Sequence, residues 1–384
     1  MSFPRTLTGL LQELVATPSV TPGADSGGTT AGEAAMAARV AELLRTMCAE
    51  VTATEIQPGR PNVVGRFGEP SSSRPTVAIV PHLDTVGVAG MTIPPFSPEL
   101  RNGRLYGRGA SDTKGPMAAA LWALHRHLSR AGRRDAGVNF VFAATAGEEE
   151  LSVGASALCR DGFRAEFALA LEPTDLRVVR AAKGVLRVWV EATGRAAHSS
   201  APSRGRNAIF KMLPFLRDCQ ERLAPQFAKA RHPQLSGVTL NAGVILGGAE
   251  FNVVPDRCRV ALDMRTHPTL DNDAVLAEIR RAARGLGVQI HRQGPPFALP
   301  ANHRWLRALA PHTRGLAAAP WFSDANILNA HHTPAVAFGP GSIRQAHTAD
   351  EFIELAELEA GARAFEMFFD SISKNPPMHA AVRA

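Results

Sequence analysis

The arrangement of apolar segments predicts an α/β protein with a mostly parallel sheet, interrupted by a smaller ferredoxin-like domain. Three observations carry this. Short runs that are apolar on both faces alternate with helical patterns in the first half, as in a parallel sheet covered on both sides. Between about residues 183 and 295 the pattern becomes β-α-β-β-α-β, the ferredoxin-like order. Beyond residue 296 the first style returns. At 384 residues the chain exceeds a typical single domain, so we expect residues 1–182 and 296–384 to form one domain and 183–295 the other.

In the first part, strands are predicted at 62–66, 76–80, 138–144 and 167–171, and helices at 6–15, 31–48, 117–130 and 153–160. The insert begins with an alternating strand at 185–193. A helix follows over 207–228, with a kink expected at Pro214 because proline lacks the N–H that a helix interior needs. Strands at 238–245 and 257–266, a helix at 271–286 and a strand at 288–292 complete it. A strand at 333–338 and an amphipathic helix at 354–369 close the chain, and residues 69–75 have the composition of a surface loop.

Composition narrows the classes of function. Hydrophobic residues make up 45% and charged residues 20%, as in ordinary globular proteins able to build a full core. The formal charge of +7 comes almost wholly from scattered arginines, and the densest group, Arg280, Arg281 and Arg284, falls on a predicted helix with a solvated face. With no aromatic-rich basic stripe, no nucleic-acid partner is expected. No apolar stretch reaches spanning length and the N-terminus carries no secretory pattern, so a cytoplasmic protein without membrane contact is expected. Cys48, Cys159, Cys219 and Cys258 are far apart and form no CxxC pair, which suggests buried thiols in a reducing compartment.

The chemistry is concentrated at the ends of apolar runs. His82, Asp112, Glu149, Glu172 and His347 lie in VPHLDTV, GRGASDTKG, TAGEEE, LEPT and QAHTADE. One bridging acid plus an imidazole and a further carboxylate for each ion is what two neighbouring divalent cations require. Taken singly, each fragment has a plainer explanation: His-Leu-Asp as a loop, Asp112 as a helix cap, the acidic run as a solvated turn, Glu172 as a cap. Together, they favour a binuclear metal hydrolase. Asp84, two residues beyond His82, can face the same way in extended chain and orient a ligating imidazole. Glu148 and Glu149 follow the buried strand 138–144, and adjacent acids there can divide the labour of metal ligand and proton carrier. The glycines around Asp112 match no phosphate-binding fingerprint.

These fragments, with GRAAHSS, FNVVPD, DMR and GPGSIRQAHTADE, resemble the M20 metallopeptidase family, and within it the acetylornithine deacetylase and succinyl-diaminopimelate desuccinylase group. The resemblance runs over about residues 8–370. It implies a zinc-exopeptidase-like catalytic domain interrupted by a lid that forms homodimers. It also implies two zinc ions, with cobalt as a common substitute, bridged by Asp112. His82 and Glu172 would hold one ion, Glu149 and His347 the other. Glu148 would be the general base, Asp84 the residue orienting His82, and His198 the oxyanion stabiliser, supplied in dimers by the opposite subunit. Arg265 and Asn252 fall where the family binds the substrate carboxylate, beside Gly341 and Ser342. The implied substrate is a small N-acyl amino acid. Departures from the family pattern are Gly147 where an Asp usually precedes the paired acids, and Ala197 before the histidine. Asp324 in FSDANIL leans toward the carboxypeptidase and desuccinylase members, while EPT and GPGSIRQAH lean toward the deacetylases.

Overall fold

A computed structural model describes residues 2–24, 32–47, 49–68, 73–131, 137–150 and 152–377. The predicted loop at 69–75 therefore falls largely outside the described residues, as do Cys48 and both ends of the predicted helix 31–48. Along the chain come α1 (Leu7–Val15), α2 (Glu33–Thr46), β1 (Glu50–Gln57), β2 (Arg60–Phe67), β3 (Thr76–Val80), β4 (Glu99–Arg101), β5 (Arg104–Tyr106), α3 (Lys114–Ala131), β6 (Asn139–Ala144), α4 (Val153–Arg160), β7 (Phe167–Ala170) and β8 (Val178–Ala182). Next are β9 (Gly184–Thr193), α5 (Ala208–Asp218), α6 (Ala224–Ala228), β10 (Thr239–Gly247), β11 (Arg257–Thr266), α7 (Asn272–Ala282) and β12 (Gly287–Gly294). The last are β13 (Phe297–Ala298), α8 (Arg304–Leu309), β14 (Leu316–Ala319), α9 (Asp324–Ala330), β15 (Ala335–Ala337), β16 (Phe352–Glu354) and α10 (Leu355–Lys374).

The chain divides into two compact units, one of residues 1–180, 299–317 and 323–384, the other of residues 181–298 and 318–322. In the larger unit the sheet runs β1-β2-β6-β3-β7-β15-β8. Its centre, β6-β3-β7-β15, is parallel, and β6 is buried at every residue because both faces are covered. The flanks are antiparallel: β1 and β2 form a hairpin, and β2 joins β6 antiparallel. β1 escapes the sequence pattern because EVTATEIQ lies on an edge, mostly exposed, with no apolar alternation to betray it.

The smaller unit has the order β10-β11-β9-β12, all antiparallel, which is the ferredoxin-like arrangement. Alternate residues of β9 and β11 (Leu186, Val188 and Val190; Val260, Leu262 and Met264) pack with Met212, Phe215, Val275 and Ile279 of the helices. The opposite face of these strands carries Arg187, Trp189, Glu191, Arg257, Arg259, Asp263 and Arg265, and there Arg259 stacks over Trp189 at 4.2 Å. Pro214 lies inside α5, and the irregularity comes later, as a π-helical segment at Cys219–Leu223. The hydrogen bond lost at Pro214 is the one to the carbonyl of Phe210, an exposed residue. Cys159, Cys219 and Cys258 are buried and unpaired. Among the described residues, no helix is long and apolar enough to cross a membrane.

Candidate metal centre

Side chains gather where the parallel strands of the larger unit end. His82 follows β3 and bridges to Thr145 beyond β6, Glu172 follows β7, and 339–342 follow β15. Sites in open α/β sheets form at these carboxyl ends because the loops there converge. Asp112 arrives from the loop between β5 and α3, and His347 from the segment before β16.

The contacts are close. His82 Nε2 lies 3.1 Å from Asp112 Oδ1, and His347 Nε2 lies 3.4 Å from Asp112 Oδ2 and 3.0 Å from Glu149 Oε2. Candidate donor atoms of His82, Asp112 and Glu149, and those of His82, Glu148 and Glu172, each fall within 4.8 Å of one another. Asp112 thus stands between the two imidazoles. Its carboxylate and the His82 ring are nearly inaccessible, whereas His347 is half exposed. Gly341 and Ser342 abut the same loop, Ser111 Oγ donating to the Ser342 carbonyl at 3.2 Å.

Asp84 does more than the sequence suggests. The Nδ1 of His82 is 3.0 Å from the Asp84 backbone carbonyl and 3.5 Å from its carboxylate, so both fix the ring. The same carboxylate accepts the Glu148 and Glu149 N–H groups at 3.0 and 3.1 Å and the Thr21 hydroxyl at 3.0 Å. One buried acid therefore sets the imidazole and the acidic turn together.

Gly147 is explained by what fills the space beside it. Its φ is +68°, and a Cβ there would run into the Arg60 guanidinium and lie 2.6 Å from Val153 Cγ2. Arg60 forms a buried ion pair with Glu33, whose Oε1 accepts the Gly147 N–H at 2.6 Å. A carboxylate is thus supplied to this turn from α2 instead of from position 147. No local signal announces it.

The electrostatics describe a cation site. Burial lifts Glu172 well above the usual carboxylate range, reinforced by Asp112 and Glu148. It does the same to Glu148 against the opposing field of His82, and raises Glu149 with help from Asp112. Burial opposes charge on Asp112 and His82 too, but hydrogen bonds win: those from His347 and His82 hold Asp112 well below its ordinary value, and those to Asp112 and Asp84 hold His82 well above. Hydrogen bonds to the Asp112 and Glu149 carboxylates push His347 up to about 10. Asp324, on α9, is raised to about 6 by burial and accepts from Thr145 at 2.7 Å. Carboxylates outnumber imidazoles in a space without water's dielectric, an excess that divalent cations would balance. The donor set fits two such ions.

In the smaller unit, His198 is exposed, with Nδ1 2.7 Å from Ser200 Oγ. It pairs with Val253 next to Asn252, whose carbonyl accepts the Ser199 N–H at 2.9 Å. Arg265 is not brought to this place. Its guanidinium contacts Asp263 at 2.9 Å near the far end of β11, about 26 Å along the strand from Arg257.

A buried, acid-rich donor cluster at the carboxyl ends of parallel strands is the kind of site that metal-assisted hydrolases use. The chain belongs to the peptidase family M20/M25/M40, whose model matches residues 78–371. It is 30% identical over 375 residues to an acetylornithine deacetylase of Proteus mirabilis, covering 92% of this chain and 93% of that protein. It is 28% identical over 338 residues to a probable succinyl-diaminopimelate desuccinylase of Staphylococcus aureus (77% and 82% covered). An M20 family metallo-carboxypeptidase from Sulfolobus solfataricus superimposes with a TM-score of 0.76 at 18% identity, over 97% of this chain and all of that one, a likeness of fold alone.

Proposed function

We propose that the protein is a binuclear zinc amidohydrolase that removes the acyl group from an N-acyl amino acid of the N-acetylornithine type. The observation that carries this reading is the contact of Asp112 with both His82 and His347 inside an acid-rich cluster. His82 and Glu172 would hold one ion, Glu149 and His347 the other, with Asp112 shared and cobalt able to replace zinc. When bound, the ions supply Lewis acidity toward the attacking water and the scissile carbonyl. Glu148 takes the water's proton and returns it to the departing α-amine. It can do so beside a ligand because Asp84 holds the backbone N–H groups of both acids. Gly341 and Ser342 would line the substrate pocket.

His198 donates to the developing oxyanion from the lid of a second subunit, while Asn252 and Arg265, which one lid holds far apart, meet the substrate carboxylate from different subunits. The distance between these residues along one lid supports that division. So does edge strand β10, which exposes Val244, Ile245 and Leu246, with Phe210 and Leu213 exposed on α5 of the same unit. An apolar edge strand of this kind favours pairing between copies. Desuccinylation of an N-succinyl amino acid is the second reading, favoured by the relative from Staphylococcus aureus. Cleavage of an N-acyl amino acid by a carboxypeptidase or aminoacylase route is the third.

The test is elemental analysis with steady-state rates on N-acetylornithine, N-succinyl-diaminopimelate and a panel of N-acyl amino acids. We expect up to two zinc or cobalt ions per chain, loss of turnover with chelator, and its return with either metal. Full activity in verified metal-free protein would sink the reading.

A further inference from the structure

Glu351, four positions after His347, is a charged residue with no side-chain exposure. Its Oε1 accepts the N–H groups of Ser111 and Asp112, each at 2.9 Å. Its Oε2 accepts the Gly109 N–H at 3.0 Å and an Arg108 Nη1 hydrogen at 2.7 Å. The backbone continues the connection: Gly107 N–H donates to the Glu351 carbonyl at 3.0 Å, and β16, which begins at the next residue, pairs with β5. One carboxylate therefore gathers the loop that delivers Asp112 and ties it to the segment that delivers His347.

We propose that Glu351 is a positioning residue that holds the Asp112 loop in its cation-binding conformation before any cation arrives. The inference rests on the metal-centre reading above. Its physical basis is the direction of the Asp112 peptide. With the Ser111 and Asp112 N–H groups both aimed at one oxygen, the plane of that peptide is set, and with it the direction in which the Asp112 carboxylate leaves the chain. Gly109 contributes by adopting φ +84° at the point where the loop folds around the carboxylate. Arg108, itself buried, neutralises the carboxylate, so the brace adds no net charge that would compete for the ions. Without Glu351, three buried peptide N–H groups and a guanidinium lose their acceptor, and the loop must rearrange to satisfy them. A carboxamide is no substitute. In either orientation, its NH2 faces one of the two donor pairs.

The experiment measures metal binding, not turnover. Wild type, Glu351→Gln and, as a control, Glu354→Gln are stripped of metal and titrated with cobalt at a temperature well below the unfolding of each. Both affinity and the visible absorption bands are recorded. Glu354 lies three residues further on, at the end of β16, but makes an exposed pair with Arg104 at 2.7 Å, so its variant should match wild type. Glu351→Gln should bind cobalt about 10–100-fold more weakly, the usual scale for a lost outer partner of a ligand, with altered bands at saturation. Wild-type affinity and spectrum in Glu351→Gln, with only the melting temperature lowered, would reduce Glu351 to a fold-stabilising role and overturn the proposal. A wild type that binds no divalent ion would instead refute the metal-centre reading itself.

If Glu351→Gln does not accumulate as folded protein, amide exchange on metal-free wild type decides. The amides of Gly109, Ser111 and Asp112 should be protected without metal. Free exchange that becomes protected only on adding metal would show that the ion, not Glu351, orders the loop.

Discussion

In the larger unit, most donors of the metal centre leave the ends of buried strands and are held a second time by side chains behind them. Asp84 holds the acidic turn, Glu33 with Arg60 holds Gly147, and Glu351 holds the Asp112 loop. In the smaller unit, His198 and Asn252 stand on exposed turns, and the imidazole is hydrogen-bonded to the neighbouring Ser200. Burial explains the difference. Taking charged groups out of water is tolerable only when each lone pair and proton has a partner, so a buried site arrives with its supports. An exposed imidazole has no such requirement and gains its setting only when another surface meets it. As proposed, the metal-binding part of the site is complete within one chain and the oxyanion part awaits a second.

Substitutions at the acidic turn test the first half of that contrast and should have the largest effect. Glu148→Ala should lower kcat by roughly 10²–10⁴-fold while metal content stays at the wild-type level. Glu149→Ala should lose one ion per chain. If Glu148→Ala lost metal and Glu149→Ala kept it, the two roles would be exchanged.

The second half is tested by complementation. His198→Ala alone should lose about 10²–10³-fold in kcat, the usual scale for one oxyanion donor. Purified heterodimers of Glu148→Ala with His198→Ala would hold one site with every group intact, so about half of wild-type activity should return. A heterodimer as inactive as its parents, or an active monomer in sedimentation, would place His198 within its own chain's site or leave it a structural role.

A smaller effect sharpens the view of Gly147. Gly147→Ala must accept a left-handed φ and displace Arg60 from beside Glu33, which should cost about 1–3 kcal/mol in denaturant unfolding. kcat should fall with the metal count unchanged. Wild-type stability in this variant would mean that the Arg60 guanidinium does not need the space.

Elements with strong periodicity were legible in advance. β3, β11 and α4 begin and end where the pattern of apolar residues changes, whereas β1 is too polar, and β4, β13 and β16 too short, for a period to register. The donors were legible for a related reason: an acid or histidine at the end of a fully apolar run has no business in a core, and its type names the chemistry. Asp324 was visible in FSDANIL and Glu351 at the end of QAHTADE, yet nothing nearby said what they touch.

The amino-acid sequence by itself determined which side chains can hold cations, the order in which they arrive, and the alternation that builds a sheet with an inserted ferredoxin-like unit. These depend on residue type and on spacing within a few positions. Only the tertiary structure decided that Asp84 serves His82 and the acidic turn at once, that Arg60 and Glu33 occupy the space beside Gly147, that Glu351 braces a loop 240 positions away, and that His198 and Arg265 lie at opposite ends of a strand ladder. Each of these is a pairing between groups whose partners are set by how strands and loops stack in space. A hydrogen bond leaves no trace in the local sequence of either partner, because the same Glu, Arg or Gly would be equally at home on a solvated surface.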